Sequence, residues 1–505
     1  MDSSSDAALA PPAITGRPDL ADRARLAVAW ATGLQFFRDV VQFGLTLALV
    51  RLLSTEAYGQ FGLLTTLLTF FTYYSFREFL NYTLQARDGE AVHEQDHFTA
   101  GAVVQTGIVL VVNGVAVAFR WLPDYAPVAP VLHVMSLLFL IDLPAEFRTR
   151  MLERALDWRT LRTLQGVGFL AGGLVSIGMA LSGFGVWALV VPMLVAPLPF
   201  VYHLFVTERW RPTWAFEWDR FRPARRFGLT RMLTLTLIAV ASVAESMTLT
   251  SALGFAVLGV FGRALGLAQL LCGRLATLLS IAIYPVLTRV PPASAAFRRA
   301  GSLYLRGVTW AVVPAAAIAA LLADPMVRTL YGDKWLDVIP FVPWAMAGAA
   351  FAAMAQTAYT VLLANGQQRA CVAADGWRMV GVLAALALAL PGGPGRYLVA
   401  LCGVHLVSFV VVSMSLWRGR ALAEPALLEA VVPAAISATV AVGIVLGLER
   451  VLGITVRTVW VGAAMAPLFC LAYVAALRIL FRTPLADVIG HLPRSQHVAR
   501  ALRLA

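Results

Sequence analysis

The chain has 505 residues, of which 59% are hydrophobic and 13% charged, with a mean hydropathy of +0.76. A soluble domain carries roughly 25% charged residues, so this composition excludes a water-soluble fold and describes an integral membrane protein. The net charge of +12 argues for lipid rather than nucleic acid, because the arginines cluster in alternate loops in the positive-inside pattern.

Residues 1–22 are polar and rich in proline and alanine, without a basic leader or a cleavage pattern. They read as a disordered cytoplasmic tail. Apolar runs long enough to cross a bilayer then recur to the end. Fourteen spans are expected, at roughly 26–50, 58–80, 99–121, 127–148, 160–182, 184–206, 227–250, 255–287, 302–323, 337–363, 370–390, 397–416, 427–448 and 458–480. Arginine-rich loops follow every second span: Arg148, Arg150 and Arg154 after the fourth, Arg209, Arg211 and Arg220 after the sixth, Arg289, Arg298 and Arg299 after the eighth. Both termini are therefore expected in the cytoplasm.

The turn after the first span, Arg51-Leu-Leu-Ser-Thr-Glu-Ala-Tyr-Gly-Gln-Phe-Gly62, has an echo 200 positions later. There Leu258-Gly-Val-Phe-Gly262 repeats Tyr58-Gly-Gln-Phe-Gly62 at the same point of a similar hydropathy pattern. A six-helix unit used twice follows, its copies related by an axis along the membrane normal. The expected division is an N-lobe at 23–206, a cytoplasmic linker at 207–226 and a C-lobe at 227–416. Two extra helices at 417–480 pack on its surface, and a cytoplasmic tail occupies 481–505. The eighth span is longer than a bilayer core of about 30 Å requires and must tilt, protrude or bend, with Tyr284-Pro285 as the expected bend. The four cysteines (Cys272, Cys371, Cys402, Cys470) lie in apolar segments without metal spacing and read as buried, reduced thiols.

Four stretches in register resemble a known family. They are Arg51 to Gly59; Arg154-Ala-Leu-Asp-Trp158 leading to Gly183-Phe-Gly-Val-Trp-Ala-Leu-Val190; Ala252-Leu-Gly through Gly262 to Ile283-Tyr-Pro-Val-Leu-Thr-Arg289; and Leu330-Tyr-Gly-Asp-Lys-Trp335 with Pro340. The chain resembles the Wzx and WzxC-like flippases of the multidrug/oligosaccharidyl-lipid/polysaccharide exporter superfamily. One departure is an acidic second cytoplasmic loop (Asp88, Glu90, Glu94, Asp96). The resemblance implies an alternating-access transporter in a bacterial inner membrane, driven by an H+ or Na+ gradient and without an organic cofactor. Its passenger would be a polyprenyl-diphosphate-linked oligosaccharide on its way to exopolysaccharide, capsule or O-antigen. A polysaccharide polymerase and chain-length proteins would be its partners, and nucleic acid would not.

Ionisable residues within spans each cost roughly 2.5–3.5 kcal/mol at the centre of a helix, so they should face a wet cavity or a partner. Arg38 and Asp39 are neighbours on the first helix and should serve different surfaces. Arg38 suits either a diphosphate or a carboxylate on a neighbouring helix. Arg263 and Arg274, three turns apart on the eighth helix, form either a basic track for an anionic head group or two separate salt bridges. Glu245, with only serine and threonine nearby in sequence, is a candidate for proton coupling or a hydrogen-bonded structural acid. Asp375 and Arg378 should pair with each other. Asp142 and Glu146, close to Arg148 and Arg150, form an inner gate or an ordinary interfacial cluster, and Arg77 with Glu78 is read the same way. His133, His203 and His405 read as packing residues, and Trp187 with Trp335 as interfacial anchors.

A drug exporter of the same superfamily is the first rival, and the arginines within its spans count against it. A membrane polymerase or glycosyltransferase, or a structural scaffold, is a rival of a different class. The outer loops here are short and bring no paired catalytic carboxylates.

Overall fold

A computed structural model describes residues 38–76, 94–155, 157–213, 216–419, 421–422, 426–453 and 459–490. The expected tail at 1–22, Arg77, Glu78, Asp88 and Glu90 lie outside the described residues, as do positions 491–505.

All regular structure among the described residues is helical. Helix α1 (38–52) turns through Ser54, whose Oγ accepts the Ala57 N–H at 3.2 Å and so starts α2 (Thr55–Thr72). Next come α3 (Glu94–Phe119), α4 (Ala129–Arg154) and α5 (Trp158–Leu181). Asp157 caps α5 by accepting from Thr160, which holds its carboxyl below the usual carboxylate range. Helix α6 (Trp187–Thr207) is broken by Pro192 and Pro197 and ends in a π turn. The linker returns along α3, where buried Asp96 accepts the Glu217 N–H at 2.8 Å.

A helical run over Trp218–Ala268 is interrupted at Gly254, whose φ of 78° and ψ of 168° only glycine adopts readily. The part before it is α7. The part after it is α8, which continues through a π turn at Gln269–Gly273 into Arg274–Leu287. This π turn is the irregularity of the long eighth span. Tyr284-Pro285, the expected bend, lies within the helix Arg274–Leu287. Helix α9 (Ala295–Leu321) is followed by a short helix (Ala323–Leu330) and a 3-10 segment (Asp333–Phe341). The remaining long helices are α10 (Val342–Ala364), α11 (Gln368–Leu388), α12 (Pro394–Arg418), α13 (Ala426–Leu452) and α14 (Val459–Leu480). A last short helix, α15 (Arg482–Gly490), occupies the start of the expected tail.

These fourteen long helices fill the fourteen expected spans one for one. Eleven helical runs among the described residues are long and apolar enough to cross a membrane. One of those runs contains both α7 and α8, α1 is described only from residue 38, and α2 falls short because threonines interrupt its leucines.

The duplication is visible where the two copies meet. A Cβ added at Gly59 would overlap the carbonyl oxygen of Phe255, and one added at Gly259 would overlap that of Thr55. The two contacts exchange under the 200-residue offset, which is the reciprocity of a two-fold axis. Helices α2 and α8 therefore cross at their first turns, backbone against backbone, as small residues permit in a membrane. Helices α13 and α14 pack outside the repeat. The Trp310 indole of α9 donates to the Ala430 carbonyl at 3.1 Å, and the Tyr473 hydroxyl donates to the Trp310 carbonyl at 3.1 Å. Arg306, which the sequence reading passed over, is 5% exposed and sits between Glu429 of α13 and Asp487 of α15, the latter at 2.9 Å. Three of the cysteines are buried. Cys470 is exposed on α14, contrary to expectation, because its helix presents that face to the surroundings.

Candidate functional site

The face that carries the α1–α2 turn is closed by contacts between the two halves. Trp335 is fully buried and its indole N–H donates to the Val50 carbonyl at 3.0 Å. It is a clamp on the end of α1 rather than the interfacial anchor expected, because the 3-10 segment folds inward over the turn. The neighbouring Lys334, the one lysine of the chain, donates to the carbonyls of Arg51 (2.7 Å) and Leu53, which end α1 without helical partners. Arg51 answers by donating to the Thr329 carbonyl. Tyr58 lies edge-on to Trp335 with ring centroids 5.6 Å apart, and the Arg263 guanidinium covers the Tyr58 ring at 4.3 Å. On the far side of α2, the Tyr125 hydroxyl donates to the Met247 carbonyl at 2.9 Å.

Away from this face α2 and α8 diverge, and cavities open between the helices. One of about 840 Å³ lies between α8, α10 and α11 and reaches Tyr284 and Leu363 in the last turns of α8 and α10. Its lining includes Gln269, Thr277, Gln356, Tyr359, Thr360 and Arg378. A smaller one of about 270 Å³ is walled by the Thr65, Thr66, Thr69 and Tyr73 side of α2 and by Ser242 of α7. The threonines that make α2 a weak span are thus the wall of a polar cavity.

Arg378 also borders a third cavity of about 230 Å³ together with Glu245, Asp375 and His405. Here the Tyr397 hydroxyl donates to Glu245 at 2.7 Å and the Tyr359 hydroxyl to Asp375 at 3.1 Å. Arg378 and Asp375 form the expected pair at 3.7 Å. Glu245 is not surrounded by serine and threonine alone. Its partner Tyr397 is 152 positions away, a distance at which no local pattern gives a signal. His405 borders this cavity, where the sequence reading gave it a packing role.

Polar contacts bridge both seams between the lobes, among them a pair at equivalent positions of the repeat. Tyr74 of α2 meets Thr236 of α7 at 2.7 Å, and Arg274 of α8 meets Asp39 of α1 at 3.3 Å. Arg274 stands 200 positions after Tyr74, so equivalent positions of the repeat bridge the two seams. Arg38 precedes Asp39 on the same helix. Arg263 and Arg274 do not form a continuous track. The π turn between them adds to the helical register, so Arg263 faces the closed end and Arg274, 62% exposed, faces the α1 seam. Asp142 and Glu146 line a water-sized cavity of about 10 Å³ with Gln105. Glu146 faces Arg150 at 3.6 Å, while Arg148 reaches His203 (3.2 Å) and Glu208 (2.6 Å) of α6 and its exit. These contacts stay within the first six helices and the exit of the sixth.

Residues 48–340 match the family of polysaccharide biosynthesis proteins, more than half of the chain. The chain belongs to that family. The resemblance to the Wzx-like flippases, read from four stretches, stands with it. The succinoglycan biosynthesis transport protein ExoT of Rhizobium meliloti (strain 1021) is 22% identical over 296 residues, 58% of this chain. That match spans 59% of the relative's length. Among solved structures, the lipid II flippase MurJ in an inward closed conformation has a TM-score of 0.69 at 12% identity, with 89% of this chain and 98% of that chain covered. An inward-facing multidrug resistance MATE family transporter of the MOP superfamily has a TM-score of 0.51 at 15% identity, covering 75% and 93%. At such identities these two structures establish the shared fold.

Proposed function

We propose that this protein is a flippase that moves a polyprenyl-diphosphate-linked oligosaccharide from the cytoplasmic to the periplasmic leaflet of a bacterial inner membrane. The observation that supports this most is the cavity system described above. It is walled by hydroxyl, amide and tyrosine side chains at membrane depth, sealed at one face by contacts between symmetric halves, and extended toward the other. Membrane-depth polar groups are costly unless a passage wets them. The family membership, together with a relative named for succinoglycan transport, supplies the class of passenger.

In this reading the N-lobe (23–206) and C-lobe (227–416) rock about the α2–α8 crossing while the linker (207–226) tethers them, with both termini in the cytoplasm. The lobes alternate between the state seen here and one opened at the α1–α2 face. The diphosphate is met at the α1–α8 seam by Arg274 and Arg38, since an exposed guanidinium suits phosphate oxygens. Arg263 belongs to the closure instead. Glu245 is the coupling acid, able to exchange a proton through the small cavity, and Asp375 with Arg378 sets its local charge. Asp39 gates the seam by holding Arg274. Asp142 acts within the first lobe. Carboxylates held by tyrosine hydroxyls and a guanidinium support transport over glycosyl chemistry, and in this reading a polymerase and chain-length proteins take up the cargo.

The test uses purified protein in liposomes carrying a fluorescent short-chain polyprenyl-diphosphate oligosaccharide, with a membrane-impermeant quencher outside. Accelerated loss of the inner-leaflet signal under a pH gradient is expected, with the gradient response abolished by Glu245→Gln. Movement no faster than in protein-free liposomes would overturn the proposal. Efflux of a cationic dye with no movement of the lipid would favour the multidrug exporter.

A further inference from the structure

The large cavity contains two glutamines that the proposal above leaves without a role. Gln269 opens the π turn of α8 and Gln356 lies midway along α10, both with exposed side chains facing the same 840 Å³ space. Helix α10 starts at the closed face with Val342, and α8 starts there just after Gly254. At 1.5 Å per residue both glutamines therefore stand about 21 Å from that face. Two carboxamides at one depth inside a bilayer demand an explanation, because each carries donors and an acceptor that lipid cannot satisfy.

Gln269 is also held in place. A Cβ at Gly273 would overlap the Gln269 carboxamide, so the glycine and the wide π turn together make the groove in which that amide lies. Beside the pair stand Tyr359 and Thr360, and Tyr284 lines the same cavity about 22 Å further along α8. Tyrosines offer an apolar ring face with a polar tip, and a carboxamide offers a donor and an acceptor side by side. That combination matches the apolar face and the vicinal hydroxyls of a pyranose ring. The charge at one end of the cavity is already offset, since Arg378 faces Asp375 at 3.7 Å and borders the same small cavity as Glu245. A sugar carboxylate entering here therefore meets a guanidinium already engaged by a carboxylate, whereas a neutral ring needs no counter-ion.

We infer that Gln269 and Gln356 are the sugar-reading pair of the cavity and that they select an uncharged glycan over a uronate-bearing one. This rests on the flippase reading and adds the class of sugar to it. The diphosphate stays at the Arg274 seam, so the amides read the saccharide alone.

The experiment places a cysteine at Thr360 in the full-length protein in nanodiscs. Its maleimide labelling is then measured with maltotetraose or tetragalacturonate present at neutral pH. The neutral glycan is expected to slow labelling several-fold and the uronate to leave it unchanged. Gln356→Leu should abolish the protection at an unaltered melting temperature. Gln356→Arg should transfer protection toward the uronate, an outcome that misfolding cannot produce. Equal or better protection by tetragalacturonate in the parent, or protection that survives Gln356→Leu, overturns the inference. If the labelled lipid moves in liposomes but neither glycan protects, the sugar-reading pair is refuted and the flippase stands. If the lipid does not move and neither glycan protects, both fall.

Discussion

Replacing Gly259 by alanine should open the closed face without harming the fold. The added Cβ would overlap the Thr55 carbonyl oxygen and come within 3.0 Å of the Gly59 amide nitrogen. Both obstacles are backbone, so the helices themselves must part. Forcing a methyl into a packed contact costs about 1–3 kcal/mol, and that cost applies only in the conformer where α2 and α8 touch. Alanine also favours helix over glycine by about 1 kcal/mol, but it does so in every conformer and leaves their ratio alone. The net shift is therefore about 1–3 kcal/mol toward the conformer opened at that face, a factor of about 5 to 150. A cysteine at Thr66, which borders the cavity beside α7, reports the change. Its labelling by a membrane-impermeant maleimide added from the α1–α2 side should rise by about fivefold or more. Gly59→Ala should act likewise, and the double substitution should fall short of the sum, since one parting of the helices relieves both overlaps. Gly62→Ala and Gly262→Ala change neighbouring glycines of the same two repeats, yet nothing lies within 4 Å of either added Cβ. Labelling that rises equally in these controls, or fails to rise in Gly259→Ala at equal expression, would refute the reasoning.

Trp335→Phe keeps the ring but removes the hydrogen bond to the Val50 carbonyl. Leaving that buried acceptor unpaired costs about 1–3 kcal/mol, so a lower melting temperature and faster Thr66→Cys labelling are expected together; a change in neither would mean the clamp is not formed. Lys334→Met strips the end of α1 of its donor to two carbonyls, and should raise labelling from the same side, whereas unchanged labelling would assign closure to the glycine crossing alone. Arg306→Met leaves Glu429 and Asp487 facing each other. Breaking a buried pair costs about 3–5 kcal/mol, less here because the two carboxylates are 36% and 41% exposed. The melting temperature should fall, and adding Glu429→Gln should recover part of it; a variant as stable as the parent would show that α15 is held without the ion pairs.

The spans were legible because a bilayer leaves one solution for an apolar run of this length, a helix with its backbone bonds satisfied internally. The Asp375–Arg378 pair followed from spacing on one helix, and the repeat from two glycine-bearing stretches 200 positions apart. The misses have common causes. Trp335 ends a polar loop and so reads as interfacial, because a local pattern does not reveal that its segment folds back over α1. The π turn at Gln269–Gly273 has no strong sequence mark, and it is what separates Arg263 from Arg274. Arg306 did carry a signal, since an arginine inside the ninth apolar span should always raise the question of its partner.

The positions of the legible and the illegible residues are themselves informative. Of the four stretches that carried the resemblance, the ones around Arg51–Gly62, Gly259 and Leu330–Trp335 are those that meet at the closed face, through the glycine crossing and through Lys334 and Trp335. They answer the demand that two symmetric lobes close against each other, which is independent of the cargo. The cavity wall answers a different demand. Gln269 in the π turn of α8, and Gln356 and Tyr284 on regular helix, border open space. A closure is constrained by the chain's own backbone and so leaves a pattern in the chain, whereas a wall that contacts only a passenger is constrained from outside it. That is why the family could be read from residues 51 to 335 while the sugar could not, and why substitutions in the wall should alter selectivity and those in the closure should alter the balance of states.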